Sequence, residues 1–136
     1  MIKIPGVPEP KHTRYIAGYF SENIISALSL NISNNTPIYI ATNNREHIRS
    51  HHSDAYIKYF EHLENILSSP DYVGFGGVNI PSIEFIKIFD IDNEYVNVAV
   101  RATAAGVYYV RSMFIINESR VEKYIQQKGF VKLTNL

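Results

Sequence analysis

The stretch Glu46-His-Ile-Arg-Ser-His-His52 concentrates three of the chain's five histidines. Histidine titrates nearest neutrality, so it can accept a proton and return it. His47 and His51 are four residues apart and share a face if the segment is helical. Three readings stay open for the pair: a solvated polar helix face, a metal site, or acid–base chemistry. Two histidines one turn apart can bind Zn²⁺ or Ni²⁺, but a catalytic zinc site usually takes a third protein ligand. Glu46, Asp54 and Glu61 are available without diagnostic spacing, and the His-Glu-x-x-His pattern is absent.

A cationic group follows in the second half. Lys87 sits in Ile-Glu-Phe-Ile-Lys-Ile-Phe, and Arg101 and Arg111 lie in the next two apolar runs. Charged side chains in such runs must reach solvent or a partner. Arg101 has the phase of Tyr95 and Asn97; Arg111 has the phase of Tyr109 and Met113. Pairing through the Ala104–Gly106 turn would bring both arginines to one open face. Isolated basic residues on an exposed sheet face are also ordinary. Ser112, in Tyr108-Tyr-Val-Arg-Ser-Met-Phe, lacks a Gly-x-Ser-x-Gly context, so a serine-hydrolase reading is poor. By simple alternation it shares a face with Val110 and Phe114 and points toward a core. No phosphate-binding glycine loop is present. Gly74-Phe-Gly-Gly77 has the wrong context, and Asp90-Ile-Asp-Asn-Glu94 is too short for a calcium loop.

Bulk properties narrow the class. The 136 residues suit one domain with a sizeable core. With 13 basic and 13 acidic side chains the formal net charge is +0, so any nucleic-acid contact needs a local basic patch. No cysteine is present, which removes disulfides, thiolate catalysis and a thiolate zinc site. No run is apolar enough to span a membrane, and the proline-rich start does not read as a signal peptide. A cytoplasmic location is the default expectation.

The elements that must position these residues read as follows. Residues 1–12, with Pro5, Pro8 and Pro10, form an extended arm; 13–136 form a single domain. A short strand over Arg14–Phe20 leads to a helix capped by Ser21. Pro37–Ala41 is a strand. Asn43 and Asn44 cap a helix starting near Arg45, and Asp54 caps a longer one with Ile57, Phe60, Leu63 and Leu67 on one stripe, ending at Pro70. Tyr72–Val78 is a turn or short strand. Ile83–Phe89, Tyr95–Ala102 and Val107–Ile116 are strands of an antiparallel meander. In the middle one, Val96, Val98 and Val100 alternate with Asn97, Ala99 and Arg101, the mark of a half-buried strand. Asn117 or Ser119 caps a last helix with Val121, Tyr124 and Ile125 inward and Gly129 at its end. Phe130–Leu133 adds an edge strand. The class is α+β: N-terminal helices on an antiparallel sheet of about four strands, with a C-terminal helix.

The order Tyr15-Ile-Ala-Gly-Tyr, helix, Ile38-Tyr-Ile, Glu46-His-Ile-Arg-Ser-His51, Pro70-Asp-Tyr-Val73 and Tyr108-Tyr-Val-Arg-Ser-Met-Phe114 resembles the phage-type barnase–EndoU–colicin–RelE nuclease-like domains of prophages and other mobile DNA. The resemblance covers nearly everything beyond residue 13. It implies a pair of helices on an antiparallel sheet and metal-independent RNA cleavage without a cofactor. Its sites combine a histidine, basic residues and a strand Ser or Thr. Carried onto this chain, these are His47, His51, Lys87, Arg111 and Ser112 as catalytic residues, and Arg49, Arg101 and Tyr109 as contacts to RNA. A toxin-like role and an immunity or antitoxin partner are part of the same implication. The alternatives are a non-catalytic RNA- or protein-binding module on the same fold, a metal-binding histidine site, and a homodimer through the tyrosine-rich sheet.

Overall fold

The computed structural model describes residues 13–77, 79–91 and 93–133. The proline-rich segment expected as an extended arm lies outside the described residues. In chain order the elements are β1 (Arg14–Tyr19), α1 (Glu22–Ala27), β2 (Pro37–Ala41), α2 (Thr42–His51), α3 (Ser53–Tyr59), α4 (Leu63–Ser68), β3 (Tyr72–Gly76), β4 (Ser82–Phe89), β5 (Glu94–Ala102), β6 (Tyr108–Ile116), α5 (Glu118–Lys128) and β7 (Val131–Lys132). A 3-10 turn, Phe60–His62, joins α3 to α4.

The α+β class stands, but the sheet is larger than expected and mixed. It has seven strands in the order β1-β2-β6-β5-β4-β3-β7. The antiparallel meander β4–β5–β6 is as the turn signals imply. β2, however, runs parallel to β6, with Ile38 opposite Tyr108 and Tyr39 opposite Tyr109. No short-range turn signal marks a pairing between strands so far apart in sequence. The short strand expected over Arg14–Phe20 is present as β1, and it forms one edge of the sheet.

One face of the sheet is apolar and packed by α1, α3 and α4. Ile83, Phe85, Val96, Val98, Val100, Val110 and Met113 supply the sheet side. Phe20, Ile24, Ala55, Tyr59, Leu63, Ile66 and Leu67 face them. Burying one such large side chain stabilises the fold by about 1.5–3 kcal/mol. The expected stripe Ile57–Phe60–Leu63–Leu67 is not one helix face, and Ile57 is 80% exposed. The 3-10 turn has a shorter period than an α-helix, so the inward phase rotates, and Ala55 and Tyr59 do the packing ahead of it.

Helix starts also differ in detail. α2 begins at Thr42, earlier than expected. Asn44 does not sit at the cap; its Oδ1 accepts from Ala41 N at 3.1 Å, one half of a capping box. His52 rather than Asp54 precedes α3, and the Asp54 carboxylate accepts from Ala55 N at 2.8 Å. α5 follows its signals closely: Asn117 Oδ1 accepts from Arg120 N at 2.9 Å, and Gly129 closes the helix at φ +66°, where a side chain would be strained.

The second face of the sheet is only partly covered. Val121 and Phe130, with Tyr124 and Ile125 beside them, pack on Ile86 and Ile116. That covers one end of β4–β6; among the described residues the other end is open. β5 is buried on both sides, Asn97 and Ala99 included, rather than half-buried, because it lies at the centre of the sheet.

Candidate active site

The open end of the second face is a cleft of about 510 Å³. Strand alternation decides its floor. In β4, Ile83 and Phe85 point to the helices, so Glu84 points the other way; in β5, Val98 and Val100 do so, so Ala99 and Arg101 face the cleft. β6 adds Arg111, Ser112 and Phe114. α2 supplies Asn43, Asn44 and His47 as a wall.

The placement of Arg111 and Ser112 departs from simple alternation. Ala99 pairs with Ser112, but Val100 pairs with Val110, so Arg111 is an extra residue on β6. Such a bulge turns consecutive side chains to one side and restores alternation beyond it. Val110 and Met113 therefore both enter the core, while Arg111 and Ser112 between them both line the cleft. Ser112 thus leaves the Val110 face that period-two reading gives it.

Glu84 was not singled out from sequence. It lies three residues from Lys87 in the same apolar run, and an odd spacing puts the two on opposite faces. Burial holds its carboxyl above the ordinary range; the Asn97 amide, the Lys128 charge, the Ser82 hydroxyl and the Arg101 charge offset part of that. The Asn97 Nδ2 donates to Glu84 Oε2 at a long 3.5 Å. A Cβ on Gly76, opposite Ser82, would come within 2.7 Å of Glu84 Oε1, so a larger residue there would require the carboxylate to shift. Among the described residues, Asn97 Oδ1, Ser82 Oγ and Arg101 Nε are buried without a well-formed hydrogen bond. Buried polar atoms left unpaired are rare, and each calls for an explanation. A charged group inside an apolar strand was the available signal for Glu84.

The histidines form a stack at the cleft wall. The His47 and His51 rings are 4.5 Å apart between centroids, and His52 lies 5.8 Å from His47 and 5.5 Å from Phe114. His51 does not line the cleft. It backs the His47 ring, with its Nδ1 3.2 Å from the His47 carbonyl oxygen. Burial, and then the neighbouring His47, push the His52 imidazole below its ordinary value. Among the described residues no three His, Asp or Glu side chains converge in a metal-holding group.

Of the residues carried over by resemblance, the fold gathers His47, Arg101, Arg111 and Ser112 in one cleft. Tyr109 lies in an adjoining hollow with Arg111. Two lie elsewhere. Lys87 shares the helix-side face with Phe85, and its Nζ donates to the Ser69 carbonyl at 2.7 Å. Arg49 pairs with Glu46 at 2.7 Å on the exposed side of α2.

The family described as phage-Barnase-EndoU-ColicinE5/D-RelE like nuclease3 matches residues 15–123, and the chain belongs to it. No curated protein and no solved structure matches the chain.

Proposed function

We propose, from the chain's membership of this nuclease-like family, that the cleft cleaves RNA by attack of the substrate's own 2′-hydroxyl on the adjacent phosphorus. The observation that carries this reading is the company Glu84 keeps: a half-buried carboxylate with a raised pKa shares one cleft with His47, Arg101, Arg111 and Ser112. RNA supplies its nucleophile, so the protein needs a base, an acid and cations rather than a nucleophile of its own. Glu84, ionised, takes the 2′-hydroxyl proton; its raised pKa makes it a stronger base than an ordinary carboxylate. His47 returns a proton to the departing 5′-oxygen. Arg101 and Arg111 stabilise the negative charge that builds on the phosphate oxygens, and Ser112 donates a hydrogen bond to one of them. The products are a 2′,3′-cyclic phosphate and a free 5′-hydroxyl. His51 acts through His47 by fixing its ring. No step calls for a metal or cofactor.

Incubating the chain with RNA in EDTA tests the reading. Cyclic-phosphate ends with the native chain, lost with Glu84→Gln and His47→Ala, are expected. Intact RNA with the native chain overturns it. The rival, a non-catalytic RNA- or protein-binding module of a mobile element, draws on the formal net charge of +0. A toxin-like role predicts growth arrest on expression, relieved by an immunity or antitoxin protein.

A further inference from the structure

The cleft does not end at Arg111. Asn43, Asn44 and Arg111 line both the cleft and a neighbouring hollow of about 280 Å³, whose far wall is Tyr109. Tyr39 comes next. It is the register partner of Tyr109 in the parallel β2–β6 pair, so the two rings share one face of the sheet, 5.9 Å apart between centroids. Arg14, from edge strand β1, completes the group. Its guanidinium carbon lies 4.1 Å from the Tyr39 ring centroid, and its Nη1 donates to the Tyr109 hydroxyl at 3.3 Å. The surface therefore runs from the cationic cleft across β6 and β2 to β1 as two aromatic rings and a flat cation.

A stacked Arg–Tyr pair on an exposed sheet is worth only about 0.5–1 kcal/mol and could simply pin the edge strand. Three features argue for more. The group is continuous with the cleft through shared side chains. Tyr109 stands two residues along β6 from Arg111, about 6–7 Å, which is close enough for one bound chain to touch both. And the residue types are those that bind unpaired nucleotides: rings and a guanidinium plane for bases, with cations for the backbone.

We infer that Tyr39, Tyr109 and Arg14 form a stacking platform for a base one nucleotide beyond the two that flank the reacting phosphate, which makes the preferred substrate single-stranded RNA. This rests on the ribonuclease reading for its location, not for its chemistry. A base reaches the platform only if it is unpaired and turned out flat against the sheet, so a duplex, whose bases are stacked inside, gains nothing from it. The base lies against the Tyr109 ring or on the outer face of the Arg14 guanidinium, which extends the Tyr39 surface. Arg14 also presents N–H groups to the passing phosphate.

Binding of oligonucleotides that cannot be cut separates this inference from catalysis. The probes are fluorescent 2′-O-methyl RNAs, whose blocked hydroxyl prevents attack: a single-stranded dinucleotide, a single-stranded hexanucleotide and the matching duplex. The native chain is expected to bind the hexanucleotide at least about tenfold more tightly than the dinucleotide or the duplex, the order of one stacked base. Tyr39→Ala and Arg14→Ala should erase most of that length-dependent gain, and Tyr39→Phe, which keeps the ring, should retain it. Circular dichroism melts identify a Tyr39→Ala chain that does not fold, in which case Arg14→Ala, an exposed position, decides. Equal affinity of native chain and variants for the hexanucleotide, or a duplex bound as tightly as the single strand, overturns the platform. RNA cut with an unaltered length dependence sinks the platform alone; length-dependent binding without cutting sinks the ribonuclease reading alone.

Discussion

The two faces of the central strands are built from the same residues in alternation yet have opposite physical character. On the helix side, Phe85, Val98, Val110 and Met113 are buried against apolar partners and leave no polar atom to satisfy. On the cleft side, Glu84, Asn97 and Arg101 are wholly or partly buried, and among the described residues buried polar atoms of Asn97 and Arg101 lack partners. The first arrangement stabilises the fold. The second works against it, since burying charge and unpaired polar groups is unfavourable. A face that carries such a cost on β4 and β5 is where binding or chemistry is to be sought, and α5 covers only half of it.

The contrast can be broken by substitutions that should act on one face and not the other. The largest expected effect is on activity. Glu84→Gln or His47→Ala should lower RNA cleavage by roughly a hundredfold or more, read as cyclic-phosphate product, while the chain stays folded. Next comes its mirror image. Phe85→Ala should destabilise the fold by about 3–5 kcal/mol in a denaturant titration, because it opens a cavity among fully buried neighbours. If Phe85→Ala were stable, the helix face would not be the core described above.

A third prediction uses pH. The Glu84 carboxyl sits above its ordinary range when folded, so the folded chain holds a proton that the unfolded chain has released. Stability from this group is therefore present at acid pH and lost as pH rises from the ordinary carboxylate range through the raised value. Glu84→Gln should melt at a higher temperature than the native chain at neutral pH, and the difference should vanish on acidification. A lower melting temperature at neutral pH would mean that the carboxylate is stabilised by its neighbours instead. In the native chain the acid limb of the cleavage profile should lie above the ordinary carboxylate range, because protonated Glu84 cannot act as base.

Smaller effects sharpen the boundary of the site. Ser112→Ala should reduce cleavage about tenfold, the loss of one hydrogen bond to a charged group, with little change in stability. Lys87→Ala should change cleavage least, since the ammonium is bound to the Ser69 carbonyl on the opposite face. A large loss of activity from Lys87→Ala, with Ser112→Ala silent, would reverse the assignment of the two faces.

Much of this was legible in the residues. Asn117 and Gly129 bracket α5 because a cap oxygen and a left-handed φ are local requirements. The β4–β5–β6 meander follows from apolar runs and short turns. The Arg101 side chain could be assigned to the open face because β5 alternates without interruption. The resemblance pointed to His47, Arg111 and Ser112, which the fold brings together, and also to His51, Lys87 and Arg49, which do not line the cleft.

Sequence by itself thus determined the elements whose causes are local, a cap, a turn or a period, and the residue types that could move a proton or hold a phosphate. Tertiary structure decided which of those residues meet. The parallel pairing of β2 with β6 sets Tyr39 beside Tyr109, and a single extra residue at Arg111 turns Ser112 out of the core and into the cleft. Both depend on hydrogen bonds between strands distant in the chain. One residue of register reverses the face a side chain occupies, and no pattern within the strand records that choice.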